Sequence, residues 1–542
     1  GGYYTKGDAG QAKYLIVAAQ PADGYGDHTL ANGTVAVLQT GGYVDLAQMG
    51  GIADAEWDTL TGTDNTLAMQ AWIDFAETKG INARALGSFM HTTTLNIGLI
   101  SLAGYNIFGG NHWTLRGAES MLLFVPNGGA VGGDTSQFKT YNSAMKYSNL
   151  VVSADDRDNG RTLFECSRLN INTKQDIDHL WENVRFVNHE IAVNITGRGG
   201  YFKNCSWSLG KDCLHVNWPA GFDGTGLLPE QQITSGFRKF TIDGGFVHSS
   251  TGVVLTNENF NHENLRIVNI NNLVCDTQIT MFKGSLNDAN INGNIVQYAS
   301  SGIMFRVIND GIFKNVNITG NTFSGSDSAD YSVAYQNLLN YSTGSVLTNV
   351  KFSDNIISDL ERDVIYAGGT ANSLIFKDNI FTNILLDNDT SSANRWLFNS
   401  AGTINKIIFD GNILDDYQRA FNKSELFNVG NSDVANIRFN TNEIIGELIA
   451  LMPFDFYGEL QSTRQVTYTG NGNSSFEFFA SNRIISYASV SVSTGGVSTN
   501  LCYIASNVGL SSDPVFISSN TNLTAKGDFN TLNAVYHAVI SY

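Results

Sequence analysis

The fold class this sequence predicts is all-β: a right-handed parallel β-helix with an N-terminal neck and cap helix and a C-terminal β-sandwich-like domain. Three observations predict it. A short phrase returns in register eight times between about residues 236 and 446. Its corner residue is Asn or Gly, the types that most readily take the left-handed backbone of a sharp bend. The residues beside each corner are β-branched or aromatic, as in short buried strands.

The phrase is an apolar residue, two spacers, the corner, one spacer, and a second apolar residue. It opens with Ile242-x-x-Gly245-x-Val247 and continues as Val268-x-x-Asn271-x-Leu273, Ile291-x-x-Asn294-x-Val296 and Ile318-x-x-Asn321-x-Phe323. Phe352-x-x-Asn355-x-Ile357, Phe376-x-x-Asn379-x-Phe381, Phe409-x-x-Asn412-x-Leu414 and Phe439-x-x-Asn442-x-Ile444 complete it. Successive corners lie 26, 23, 27, 34, 24, 33 and 30 residues apart. Repeats of that size mark solenoids, propellers or arrays. Propeller blades keep a fairly constant length, so the uneven spacing favours coils with one tight corner and another corner that grows loops. Asn side chains stacked from coil to coil can hydrogen-bond as a ladder.

The elements follow in order. Residues 1–48 mix Gly, Ala, Asp and short apolar runs without a period, and read as a neck. Residues 49–95 form the capping segment. Within it Leu67, Ala68, Ala71, Trp72 and Phe75 recur at helical spacing, with Asp64 or Asn65 as N-cap and Gly80 as terminator. A solenoid needs its exposed end covered, and this helix precedes the first coil. Capping is the reading for Asp64, with catalysis as the alternative.

Residues 96–455 are the body. Its first half is less regular, although Phe202-x-x-Cys205-x-Trp207 fits the phrase with Cys at the corner. Asp155, Asp156, Arg157 and Asp158 read as a solvated loop. His112 with Trp113, and His215 with Trp218, read as core or rim residues, with sugar contact as the alternative. Residues 456–542 lose the period and become poor in charge. Runs such as Arg483–Tyr487 and Ala534–Ile540 predict a separate antiparallel sandwich that closes the helix or joins subunits.

Composition narrows the function classes. The chain has 542 residues and a formal net charge of −18, so nucleic acid is an unfavourable partner. No apolar run reaches the length of a membrane span, so no membrane insertion is expected. The start, Gly1-Gly2-Tyr3, has no Met and no signal-peptide pattern. Five cysteines without a CxxC pair predict buried free thiols from a reducing cytoplasm, with neither a disulfide framework nor a metal site. No cofactor is expected.

A Gly-rich neck, the cap-helix phrase Thr63 to Ala71, an Asn-cornered β-helix and a β-rich tail together resemble phage tailspike polysaccharide depolymerases, members of the pectate-lyase-like β-helix superfamily. Within that family the chain resembles the type carried by Acinetobacter phages, with the virion-attachment head missing. The resemblance is architectural and spans the chain, and no short motif in it fixes catalytic residues. It implies a homotrimer on the virion, assembled in the host cytoplasm, that binds and cleaves bacterial surface polysaccharide.

Stacking indicates where such a site would lie. Aligning the strands before each long turn sets Leu338-Leu339-Asn340 beside Val364-Ile365-Tyr366, then Trp396-Leu397-Phe398 and Glu425-Leu426-Phe427. An inward middle residue then leaves Val364, Trp396 and Glu425 in one outward row, and Asn340, Tyr366, Phe398 and Phe427 in the other. Outward Tyr366, Trp396 and Phe398 would make a sugar platform, with Arg362 and Arg395 beside it. Packing of these aromatics under loops or at a subunit interface is the alternative.

The candidate acids are Asp359, Glu361, Asp363, Asp416, Glu425 and Glu447. Asp359 and Asp416 share an offset from their corners and lie two coils apart, about 10 Å, within the range of inverting glycosidases. Asp416 and Glu447 lie on adjacent coils at about 5 Å, which suits retention if both side chains face the groove, but their offsets differ by one, which weakens this pairing. Hydrolysis by paired carboxylates is therefore the first reading. A lyase acting on a uronic acid needs neutralising cations, and the nearby ones are scattered, so it ranks second. A non-catalytic adhesin would keep the platform without the acids.

Overall fold

The computed structural model describes residues 13–18, 22, 27–98, 106–109, 120–126, 136–141, 145–167, 178–195, 199–216, 239–248, 252–257, 266–276, 280–297, 303–308, 310–325, 337–360, 363–384, 397–415, 427–428, 436–440 and 442–444, and the backbone of seven strands between 463 and 541. The chain divides into two compact units. The first comprises Gly1–Asn259 with Asn264–Phe282, the second Phe260–Glu263 with Lys283–Tyr542.

The first unit begins with a three-stranded antiparallel sheet of Lys13–Val17, Val35–Gln39 and His28–Thr29. The one α-helix among the described residues, Thr66–Lys79, follows. It buries Met69, Trp72, Ile73, Phe75, Ala76 and Glu77, whereas Leu67 is exposed. Gly80 ends it in the left-handed conformation at φ 63°, with the bond from Ile81 N to Ala76 O closing the last turn. The side-chain cap is Asp64. Its carboxylate accepts from Thr66 N (3.0 Å), Thr66 Oγ1 (2.6 Å) and Thr92 Oγ1 (2.6 Å). Burial opposes ionisation of Asp64, but these bonds hold it below the usual carboxylate range. Asn65 acts elsewhere, and its side chain ties Ile52 N and O to Met90 O across the capping segment.

Parallel strands then stack coil on coil. Leu95–Ile97, Ser136–Tyr141, Thr162–Ser167, Ile191–Ile195, Asp212–Val216 and Val253–Asn257 pair in chain order on one face. Lys146–Ala154, Asp178–Val187, Gly199–Ser208 and Lys239–His248 do the same on another. The second unit repeats this with three strands per coil. Its first strands are Ile303–Val307, Asn337–Tyr341, Ile365–Ala367, Phe398–Ser400 and Phe427–Asn428. In the coil that starts at Ile303, the second and third strands are Ile312–Thr319 and Thr322–Ser324. The longest stretches between strands of this unit's coils, 325–336, 385–397 and 416–426, run from a third strand to the next first strand. The fold is a parallel β-helix.

The tight corner differs from the sequence expectation in one respect. The left-handed residue is the one before each Asn: Gly293, Gly320, Asp354, Asp378 and Gly411, with φ from 54° to 66°. In the first unit Asn149, Asn183, Asn204, Gly244 and Asn272 hold the same place, with φ from 50° to 69°. Asn and Asp are the non-glycine types that tolerate this conformation best. The Asn of the phrase is the next residue, and its side chain points inward. One copy also shifts. Asn271 pairs with Asp243, which leaves Leu273 in the inward place.

From Asn294 to Asn442 the inward amides form a buried ladder. Asn379 shows the pattern. Its Oδ1 accepts from Asn355 N (3.1 Å) and Asn355 Nδ2 (2.9 Å), while its Nδ2 donates to Phe352 O (3.0 Å) and Asn412 Oδ1 (2.9 Å). Two donors and two acceptor lone pairs are thereby satisfied, which permits a fully buried amide in an apolar interior. Beside the ladder Phe352, Phe376 and Phe409 stack at 4.9 and 4.8 Å, one coil spacing each. In the first unit Cys205 holds the inward place and donates its thiol to Trp181 O (3.4 Å).

The tail contributes two antiparallel sheets. Thr463–Thr469, Val535–Ser541, Tyr487–Thr494 and Val497–Ala505 form one, in that order. Ser475–Ala480, Asn522–Lys526 and Val515–Ser518 form the other.

Candidate functional site

Of the residues expected at the site, Asp359, Asp363, Tyr366 and Phe398 lie among those described. Glu361, Arg362, Arg395, Trp396, Asp416, Glu425 and Glu447 lie outside them. Asp359 sits in the strand Ile356–Leu360 with φ 58°, and its Oδ2 accepts from Ser324 Oγ (3.1 Å). Asp363 precedes Ile365–Ala367. Its Oδ2 accepts from Asn399 Nδ2 (2.7 Å), and its main-chain oxygen accepts from Asn337 Nδ2.

Phe398 requires a correction. It pairs with Ile365, and both are fully buried. The residue beside Tyr366 is Asn399, so the alignment of the last two strands shifts by one residue. The cause is local: Val364 and Leu397, just before their strands, and Leu338, the second residue of its strand, are buried as well, so two successive residues are buried there. Two adjacent apolar residues give two possible registers, and a slip of one exchanges the faces. Phe398 is thus a core residue rather than part of a sugar platform, and Val364 is buried rather than outward.

The corrected register defines an outward row on the first-strand sheet of the second unit: Arg306, Asn340, Tyr366, Asn399. Arg306 is exposed, Tyr366 is 41% exposed and Asn340 is half-buried. Among the described residues, the side chains of Arg306, Asn340 and Tyr366 make no hydrogen bond and no ion pair. Other outward rows of this unit are stitched together. Asn315 donates to Asp288 (2.9 Å), Asn349 to Asn315 (3.1 Å) and Asn405 to Asn372 (2.8 Å). Three consecutive coils therefore present a guanidinium, an amide and a phenol that the fold leaves uncommitted, with the Asp363 carboxylate against the next rung. Asn399 escaped the sequence reading because the alignment slipped by one residue at Phe398, and Arg306 because the aligned strands began at Leu338.

The first unit carries a second polar group. His215 Nε2 donates to Asp212 Oδ2 (2.6 Å), and Asp212 Oδ1 accepts from Val253 N (2.8 Å). Gly252 lets the carboxylate approach, since a Cβ there would lie 1.8 Å from Asp212 Oδ1. His215 is in register with Asn194 and Asn194 with Glu165, which accepts from Ser136 Oγ (2.7 Å). This pair is packed into the wall: the His215 side chain is only 9% exposed. His112, Trp113 and Trp218 lie outside the described residues. Asp155 is no solvated loop residue; it pairs with the buried Arg161 at 2.9 Å.

Buried titratable groups concentrate in the first unit. Burial lowers His91 and His179 to about 4, and His189 to about 3. The Thr93 carbonyl and Asp64 oppose the shift at His91, and Asp212 opposes it at His189. Unfolded histidine binds a proton near pH 6.5, so the unfolded chain holds more protons between that value and the folded pKa, and stability falls as the pH drops. The urea midpoint should therefore decrease from pH 7 to pH 5, and an unchanged midpoint would show that these rings are accessible to water. Cys166, Cys205, Cys213 and Cys275 are free and buried. Burial pushes the Cys205 thiol up to about 12, which makes it an inert core group.

The fold defines the class: this is a parallel β-helix protein. No protein family and no curated protein matches the chain. Among solved structures it is similar to the tailspike protein of Acinetobacter phage vB_ApiP_P1, at 10% identity and a TM-score of 0.32 over 95% of this chain and 89% of that one. It is similar to the gp49 tailspike of Acinetobacter baumannii bacteriophage Fri1, a capsular polysaccharide depolymerase, at 12% identity and a TM-score of 0.37 over 99% and 93%. It is similar to the tailspike of Escherichia coli bacteriophage HK620 in complex with a pentasaccharide, at 11% identity and a TM-score of 0.41 over 94% and 96%. At these identities the likeness is one of fold.

Proposed function

We propose that this chain is a phage tailspike that binds bacterial surface polysaccharide along the Arg306–Asn340–Tyr366–Asn399 row and hydrolyses it. The observation that carries this reading is the uncommitted stretch of that row, Arg306, Asn340 and Tyr366. A flat parallel sheet offers one side chain per coil, and an extended glycan advances by close to one coil spacing per ring. Tyr366 supplies a ring face for sugar stacking, Asn340 supplies amide donors and acceptors, and Asp363 supplies a carboxylate. Hydrolysis needs one protonated and one ionised acid held in different surroundings. Asp359 at its left-handed corner and Asp363 against Asn399 have different surroundings, and the acids at 361, 416, 425 and 447 complete the candidate set.

Arg306 keeps a second reading open, because a lyase requires a cation facing the uronate. Product analysis separates the two. Hydrolysis of a purified capsular polysaccharide releases new reducing ends alone, whereas elimination also yields an unsaturated sugar that absorbs in the ultraviolet. Reducing ends without that absorbance are expected, and no cleavage of any capsule would leave an adhesin. We further propose a homotrimer, for which light scattering should give three chain masses.

A further inference from the structure

We propose that the glycan recognised by this row is acidic, and that Arg306 pairs with its carboxylate. The inference rests on the row being the glycan site. The chain carries 50 acidic against 32 basic residues, so its overall field repels a polyanion. An acidic glycan therefore requires a local cation, and a neutral glycan requires none. Several other surface cations in the described residues are already engaged: Lys203 and Lys146 flank Glu182 at 2.9 and 2.8 Å, and Arg84 grips Asp45. Arg306 has no such partner among the described residues.

Its position also matters. Arg306 lies in register with Asn340, and Asn340 with Tyr366, so the guanidinium stands two coil spacings, about 10 Å, from the stacking ring. The planar guanidinium fork matches a carboxylate in two parallel bonds and is less strongly hydrated than an ammonium. A carboxylate on a sugar two rings from the one stacked on Tyr366 would meet it. Asp363 lies beyond Tyr366 and accepts from Asn399, so it does not neutralise Arg306. The row thereby acquires a direction, with the acidic sugar at the Arg306 end.

The test uses the full chain and a panel of purified acidic capsular polysaccharides, each native and in its carboxyl-reduced, neutral form. Arg306→Gln should weaken binding to the native form roughly tenfold and flatten its dependence on salt, while binding to the reduced form is unchanged. Tyr366→Ala should weaken binding to both forms. Both side chains are exposed, so an unaltered unfolding midpoint verifies the fold of each variant. Equal affinity for native and reduced forms, with Tyr366→Ala still weakening both, overturns the acidic-glycan inference and leaves the row as the site. If the wild type binds but neither substitution has an effect, the row itself is wrong. Absence of binding to every acidic member also overturns the inference.

Discussion

Replacing Asn379 with Val should destabilise the second unit by about 3 to 5 kcal/mol, because several buried polar groups lose partners together. Asn355 N and Nδ2 lose their shared acceptor, and Phe352 O and Asn412 Oδ1 each lose a donor. Valine fills much of the volume, so the loss arises mainly from the orphaned groups. Asp378→Gly is the control. Asp378 is the left-handed residue at φ 54° and is exposed, so glycine there should change stability by less than about 1 kcal/mol. Urea unfolding of both variants checks the pair. A large loss at 378 with little at 379 would overturn both the left-handed bend at Asp378 and the ladder through Asn379.

That pair of residues shows what the sequence made legible and what it did not. The period of the phrase revealed the coils, since Asn294, Asn321, Asn355, Asn379, Asn412 and Asn442 recur with apolar neighbours. The division of labour at the corner was hidden, because Asn serves both left-handed bends and amide ladders. The residue before it varies among Gly, Asp and Asn, and all three tolerate positive φ. Reading that column instead would have found the bends of the first unit at Asn149, Asn183 and Asn204, where the inward residues are Leu150, Val184 and Cys205 and no Asn phrase exists.

The site was legible in part for a related reason. Tyr366 was found because Ile365 and Ala367 flank it with alternating burial. Leu397 and Phe398 are both buried, so alternation fails there and nothing local marks Asn399 as outward. Register across the sheet is a non-local property, and it decided which side chains share a face. Asp363 was named for its charge, but its bond to Asn399 depends on that register.

Changing a true catalytic acid to its amide should lower turnover about 100-fold or more while leaving glycan binding and stability nearly intact. Asp363→Asn is suited to this test, because the amide oxygen can still accept from Asn399 Nδ2. Asp359→Asn is suited for two reasons: Asn tolerates the left-handed backbone, and its oxygen can still accept from Ser324. Each change removes a charge and the transferable carboxyl proton and keeps the hydrogen bond named for it, so a stability change under about 1 kcal/mol is expected. Tyr366→Ala should behave oppositely, raising KM with less effect on kcat. Reducing ends released from native polysaccharide give both constants. The series includes Glu361→Gln, Asp416→Asn, Glu425→Gln and Glu447→Gln, so that an acid and its partner can be identified by the two deepest losses. Should every amide variant cleave at the wild-type rate, hydrolysis on this row is excluded, and the Asp212–His215 pair of the first unit becomes the place to substitute next.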